Sequence, residues 1–243
     1  MGRGPSIENR KSAEDARRGR LFTKLIREIM VAARGGADPA GNPRLRMAMD
    51  KALSANMTKD TVERAIRRGT GELGGGNLEE VRYEGYGPGG AAIMVDCMTD
   101  NRTRTVGEVR HAFTRAGGNL GADGSVGYLF RHLGIIAFDT GDDAAAAESI
   151  LEVALEAAAD DVVTEQGVTE VVTSPAAFEP VKQALAAAGL KAARAELQWR
   201  PATTVAPDGA QAEALATLIE TLEALDDVQA VHTNAAPPPR ARA

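Results

Sequence analysis

The sequence predicts an α+β protein: a helical N-terminal domain followed by two α/β ferredoxin-like domains, one inserted in the other. Three observations carry this. Apolar residues recur at helical spacing through residues 1–75, which form one domain. Beyond the glycine-rich run from Gly71 to Gly76, strand-like and helical segments alternate. Residues 134–203 then parse alone as β-α-β-β-α-β, the split ferredoxin-like unit. That leaves one last helix and strand, which cannot close a domain by themselves. They complete the one begun at residue 81, so the second domain is 81–133 plus 204–235, with 134–203 inserted.

The first helix runs from Ala13 to Arg34, with Leu21, Phe22, Leu25, Ile26, Ile29 and Met30 on its apolar side, and Gly35-Gly36 stops it. Asn42-Pro43 is a start signal, an N-cap followed by proline at the first helical position. Leu45, Met49, Ala52 and Leu53 form the stripe of that helix, which Asn56 ends. Thr58 caps a third helix, with Val62, Ala65 and Ile66 inward and Gly69 closing it. The run 71–76 reads as a flexible linker. Next come a strand at Val81–Tyr86, a turn at Gly87–Gly90, a buried strand at Ala91–Met98, a helix at Arg104–Ala116 and a strand at Ser125–Arg131. The inserted unit has strands at Gly134–Phe138, Asp161–Thr164, Val168–Thr173 and Ala193–Arg200. Its helices span Asp143–Ala158 and the stretch from Ser174-Pro175 to Ala188. A helix at Ala210–Leu225 and a strand at Val228–Thr233 follow, and Pro237–Pro239 begin a tail without packing signal.

Composition excludes several classes. A hydrophobic fraction of 44% supports a packed core, and no apolar run reaches the length of a membrane span. No secretory signal is visible in the first residues. Cys97 is the sole cysteine, so there is no intrachain disulfide and no cysteine-based zinc site, which fits a reducing cytoplasm. The net charge of −6 hides a gradient. Residues 1–70 hold 16 Lys and Arg against 8 Asp and Glu, a net of +8; residues 71–133 hold 6 against 8, a net of −2; residues 134–243 hold 6 against 18, a net of −12. A basic head on an acidic body points to a polyanion partner for the head, with protein partners open to the body.

The sharpest local signal lies on the first helix. At 100° per residue, Arg17, Arg20, Lys24 and Arg27 fall within about 80° of arc, opposite the apolar side. Side chains three and four apart on a helix stand about 5–6 Å from each other, near the spacing of phosphates along a strand. Arg18 adjoins this stripe, and Lys11, Arg44, Arg46, Arg67 and Arg68 extend it; Glu28 weakens it. The plain alternative is an amphipathic helix with a solvated face. Tyr83 and Tyr86 either stack on bases or pack on a sheet, and few other aromatics accompany the charges. Backbone recognition is therefore favoured over base reading.

Enzymatic signals are weak. Cys97 ends a buried-looking strand, where an inert thiol is expected. His111, His132 and His232 have no ligand companion at i+3 or i+4, so no metal site is read. Asp96, Asp100 and Asp123 would be the carboxylates of an enzyme acting in a cleft, and solvated loop carboxylates are the better reading. The GYGPGG and GGNLGADGSV stretches lack the order of a phosphate loop and read as turns. No catalytic residue and no cofactor is assigned.

The stretches FTKLIREIMVAARGGADPAGNPRLRMAMDKALSANMTKDTVERAIRRGTGEL, VRYEGYGPGGAAIMVDCMTDNRTRTVGEVRHAFTRAGGNLGADGSVGYLF and LEALDDVQAVHTN closely resemble the YebC/PmpR family. The resemblance covers residues 10–235 and is looser across 134–205. The first residues depart from the usual GHSKW-type start and its KHRK run, of which only Arg10 and Lys11 remain. The resemblance implies a cytoplasmic three-domain protein, a DNA-binding transcriptional regulator. It also implies an alternative, since relatives resemble ribosome-associated translational activators binding rRNA, including at proline-rich stretches. On either reading the expected contacts are Lys11, Arg17, Arg18, Arg20, Lys24, Arg27, Arg44, Arg46, Arg67 and Arg68.

Overall fold

A computed structural model describes residues 5–74 and 77–236. Gly75 and Gly76 of the expected linker and the proline-rich tail lie outside the described residues. The chain forms two units: one takes in everything up to Gly127 and from Val205 onward, the other is Tyr128–Thr204.

Three helices open the first unit: α1 (Pro5–Ala33), α2 (Pro43–Ser54) and α3 (Lys59–Gly69). The α1 helix starts well before Ala13. The Asn42 side chain accepts the Leu45 N–H, with Pro43 opening α2, and Thr58 accepts from Thr61 N–H ahead of α3. Asn56 turns the chain with a φ of 62°, a left-handed position that asparagine tolerates. Leu25, Ile29, Leu45, Ala52, Val62 and Ala65 form the helical core. Leu53, expected in the stripe of α2, is 37% exposed, and Ala48 takes the inward place.

Gly69 is where α3 crosses closest to α1. A Cβ there would fall on the Met30 carbonyl oxygen and within 2.9 Å of the Ala33 Cβ. Gly69→Ala is therefore expected to destabilise the protein by about 1–3 kcal/mol, although alanine is the better helix former, because backbone cannot yield as a side chain tip can. Urea unfolding with an unchanged m-value is the check.

The same unit holds β1 (Glu79–Tyr86), β2 (Ala92–Thr99), α4 (Arg102–Arg115), β3 (Asn119–Leu120), α7 (Gly209–Ala224) and β8 (Val228–Thr233). The sheet order is β3-β1-β2-β8, all antiparallel. Alternate β2 residues Ile93, Val95 and Cys97 face α4 and α7, packing with Val109, Phe113, Leu215, Leu218 and Leu222. The opposite face of β2 carries Met98, which meets Val31 and Leu78. Thus β8, which follows a long excursion of the chain, is the strand beside β2.

The second unit contains β4 (Phe130–Asp139), α5 (Ala144–Glu156), β5 (Asp161–Glu165), β6 (Val168–Thr173), α6 (Phe178–Ala187) and β7 (Arg194–Pro201), with sheet order β5-β6-β4-β7. This is the order of the split βαβ unit. Two expectations are corrected here. Residues 125–131 are no separate strand. The Glu84 carboxylate accepts the N–H groups of Val126 and Gly127 at 2.8 and 2.7 Å, which holds this stretch out of a ladder. A 3-10 turn at Gly127–Leu129 then feeds one continuous strand, paired from Phe130 opposite Pro201 to Ala137 opposite Arg194. The helix expected from Ser174-Pro175 starts at Phe178, because the Ser174 hydroxyl accepts the Ala177 N–H in a turn of its own.

Candidate nucleic-acid interface

The arginines of α1 divide into two groups, and burial decides which is which. Every residue from Glu14 to Leu21 is exposed, and the helical core begins only at Leu25. At 1.5 Å per residue, the 29 residues of α1 extend about 43 Å, and the exposed run from Glu14 to Leu21 projects ahead of the helical core. Arg17, Arg18 and Arg20 lie on that projection. Arg18 sits over the Phe22 ring at 5.3 Å, a contact that steadies the guanidinium and leaves its edge to solvent.

Farther along α1 the same angular stripe meets the first sheet. Lys24 donates to the Glu223 carbonyl oxygen at 3.0 Å. Burial pushes its ammonium below the ordinary value, and the Glu223 carboxylate works the other way. Arg27 donates to the carbonyl oxygens of Met98 and Asp226, at 3.0 and 2.5 Å, and to the Asp227 carboxylate at 2.9 Å. Its position at the C-terminal end of α7 also suits the helix dipole. Asp227, with a side chain only 3% exposed, accepts from Arg104 at 2.8 Å, Thr105 at 2.7 Å and Thr99 at 3.1 Å as well. Burial opposes its charge, and the hydrogen bonds from Arg104, Thr105 and Thr99, with the Arg27 charge, outweigh that opposition and hold its carboxyl below the usual range.

The remaining expected cations are scattered. Arg44 is held by Glu80 and Glu28, at 2.6 and 3.0 Å, which ties α2 to β1 and raises the guanidinium further above its ordinary value. Arg46 donates to the Pro39 carbonyl oxygen, and Arg67 pairs with Glu72 at 3.2 Å. Arg68 is exposed at the end of α3. The side chain of Lys11 lies outside the described residues. The expected set therefore resolves into a projecting group (Arg17, Arg18 and Arg20), a separate exposed Arg68, and a group turned toward the protein's own carbonyl and carboxylate oxygens.

Sequence reasoning missed Asp227 as a hub. The signal available was Asp226-Asp227 directly after a helix, where carboxylates oppose the dipole unless cations cover them. Two of the three carboxylates considered for an enzyme have other partners: Asp96 is bound by Arg82 at 2.6 Å and His232 at 3.1 Å, and Asp100 by Arg104 at 2.8 Å. Tyr83 and Tyr86 donate to the carbonyl oxygens of Arg102 and Ser125. Among the described residues no cluster of His, Cys, Asp and Glu is arranged to hold a metal.

Cys97 is buried beneath α4 and α7, and burial, with Asp96 and Asp227 nearby, pushes its thiol up to about 12. The native protein in iodoacetamide at about pH 8 is expected to keep this thiol, with alkylation appearing only at urea concentrations that unfold the first unit. Mass spectrometry after quenching reads the result.

Two family descriptions match this chain: the TACO1/YebC protein N-terminal domain over residues 4–72, and the TACO1/YebC second and third domain over residues 78–235. The chain belongs to the TACO1/YebC family. Within it, a probable transcriptional regulatory protein of Xanthomonas oryzae pv. oryzae is 57% identical over 237 residues, 96% of this chain and 97% of that one. A protein of the same description from Stenotrophomonas maltophilia is 56% identical over 238 residues, 97% of each. The crystal structure of the conserved hypothetical protein Aq1575 from Aquifex aeolicus matches with a TM-score of 0.80 at 46% identity, covering 94% of this chain and 95% of that one. This TACO1/YebC protein thus has the α+β fold of its relatives, three helices followed by two four-stranded sheets. Among the described residues no helix is long and apolar enough to cross a membrane.

Proposed function

We propose that this TACO1/YebC protein is a non-enzymatic, DNA-binding regulator of transcription acting in the cytoplasm, and that it grips the nucleic-acid backbone through α1. Arg17, Arg18 and Arg20 carry the contacts, and Arg68 of α3 adds one more. The single observation behind this reading is the projecting run of α1, whose arginines reach solvent while Lys24, Arg27 and Arg44 are spent on the protein itself. The description of its relatives as probable transcriptional regulatory proteins supports it. The net of −12 on residues 134–243 disfavours contact of those residues with the same polyanion.

Four arginines on four phosphates give a slope of log K against log salt of about −3.6 on duplex DNA, so affinity falls about 150-fold between 50 and 200 mM salt. Fluorescence anisotropy with a labelled duplex reads this. A flat response removes the proposal. Co-sedimentation with ribosomes at moderate salt, together with no binding to duplex DNA, would move the same helix onto ribosomal RNA and overturn the DNA reading.

A further inference from the structure

The α5 helix of the second unit presents an unusual outer surface. Ile150 and Ala154 face the core. Leu151 and Leu155 do not: they are 39% and 62% exposed, one turn apart on the same side. Directly beside this pair, Glu148, Glu152 and Glu156 form a second exposed stripe at spacing four. Leu155 and Glu148 are seven residues apart and so only about 20° apart around the axis. The helix carries no cation, and Tyr128–Thr204 hold 12 Asp and Glu against 5 Lys and Arg, a net of −7. An apolar stripe edged by carboxylates suits a helix with an apolar stripe edged by cations.

The chain itself contains an exposed helical segment with one leucine among three arginines, Glu14 and Asp15 lying at its start. On this projecting run of α1, Leu21 is 44% exposed, and Arg17 lies one turn before it on the same side, with Arg18 and Arg20 flanking. We infer that α5 of one copy is a docking surface for α1 of a second copy, leucine against leucine and arginine against glutamate. The contact is head-to-tail, since the two surfaces differ, and a pair of copies keeps one free donor helix and one free acceptor face. Glu148 to Glu156 spans about 12 Å along α5, within the reach of arginines at positions 17 to 20 on an adjacent helix. Because α1 is also the helix proposed to grip nucleic acid, a copy whose α1 is docked on α5 of another copy cannot use it on nucleic acid, a consequence that rests on that reading.

Sedimentation of the full chain tests this. At about 50 mM salt the weight-average mass is expected to rise with protein concentration to at least twice the 25.4 kDa of one chain, and to return to 25.4 kDa at about 500 mM salt, where charges are screened within a few ångströms. Glu148→Lys with Glu152→Lys is expected to abolish the rise while leaving nucleic-acid affinity undiminished. Arg17→Glu with Arg20→Glu is also expected to abolish it. Mixing these two variants re-creates complementary pairs, and the mass rises again. Circular dichroism establishes that both variants fold, as their exposed positions predict. A constant 25.4 kDa at low salt overturns the inference, as does association that ignores the α5 variant or fails to return on mixing. Loss of nucleic-acid binding alone, with association intact, would overturn the proposed function and leave this contact standing.

Discussion

Asp227→Ala is expected to lower the stability of the first unit by about 3–5 kcal/mol, which lowers the melting temperature by about 10–15 °C. The carboxylate is buried and answers four donors: Arg27, Arg104, Thr99 and Thr105. Removing it leaves the partly buried Arg27 guanidinium without its counter-ion and the buried Thr99 hydroxyl without its acceptor, while Thr105 keeps the Asn101 carbonyl oxygen, and an uncompensated buried charge is the costliest of these losses. Asp227→Asn keeps the shape and part of the hydrogen bonding, so a smaller loss is expected. The two variants also separate in their pH dependence. A carboxylate held below its unfolded value contributes stability that is complete above about pH 4 and is lost as pH falls through the folded value. Asp227 behaves this way, and so do Asp96, against whose burial the His232 and Arg82 contacts prevail, and Glu84, held by backbone N–H groups. The wild type is therefore expected to be flat between about pH 5 and 7 and to weaken on the acid side, with a shallower acid limb in Asp227→Asn. Thermal scans from about pH 3 to 7 measure both slopes; an unshifted melting point in Asp227→Ala would remove the hub from the account.

Arg17→Ala with Arg18→Ala and Arg20→Ala is expected to weaken duplex binding about 100-fold at 150 mM salt and to flatten the salt slope by about 2.7, at about 0.9 for each phosphate no longer neutralised. Stability should hold, because the positions are exposed and alanine favours the helix. Arg27→Ala is expected to behave in the opposite way: a melting point lowered by several degrees and a salt slope left as it was, since that guanidinium already faces Asp227 and two carbonyl oxygens. Titrations of the two variants against one duplex, with thermal scans alongside, distinguish a cation that meets phosphate from one that holds the protein together. Equal salt slopes in the wild type and the triple variant would end the case for the projecting helix.

Much of the fold is legible in the sequence, and the failures have physical reasons. Asn42-Pro43 and Thr58 announce their helices because capping is local chemistry: one side-chain oxygen and one N–H two or three residues on. The β-α-β-β-α-β order of the second unit is legible for the same reason, since each turn and each period is written in contiguous residues. The stretch 125–131 reads wrongly as a strand because a residue forty positions away, Glu84, holds its N–H groups. The site is half legible. Periodicity locates the basic stripe of α1 on the side opposite the apolar residues, and it has no means of telling solvent from a second polar surface. Lys24 and Arg27 face the rim of another sheet, formed by residues about 199 and 200 positions later. Only the part of the stripe from Arg17 to Arg20 is exposed, as a solvated basic face requires.

The placement of β8 beside β2 has a consequence for biosynthesis. A ribosome making this chain releases Arg27 and then β2 long before it polymerises Asp227 and β8, and at about 5–20 residues per second Arg27 waits about 10–40 s and β2 about 6–26 s. During this wait the inserted unit has its whole sequence and completes itself, while the earlier sheet waits with an open edge and α1 without its anchor. The newborn protein thus matures from its middle outward, and its last strand is the clasp that closes what its first helices began.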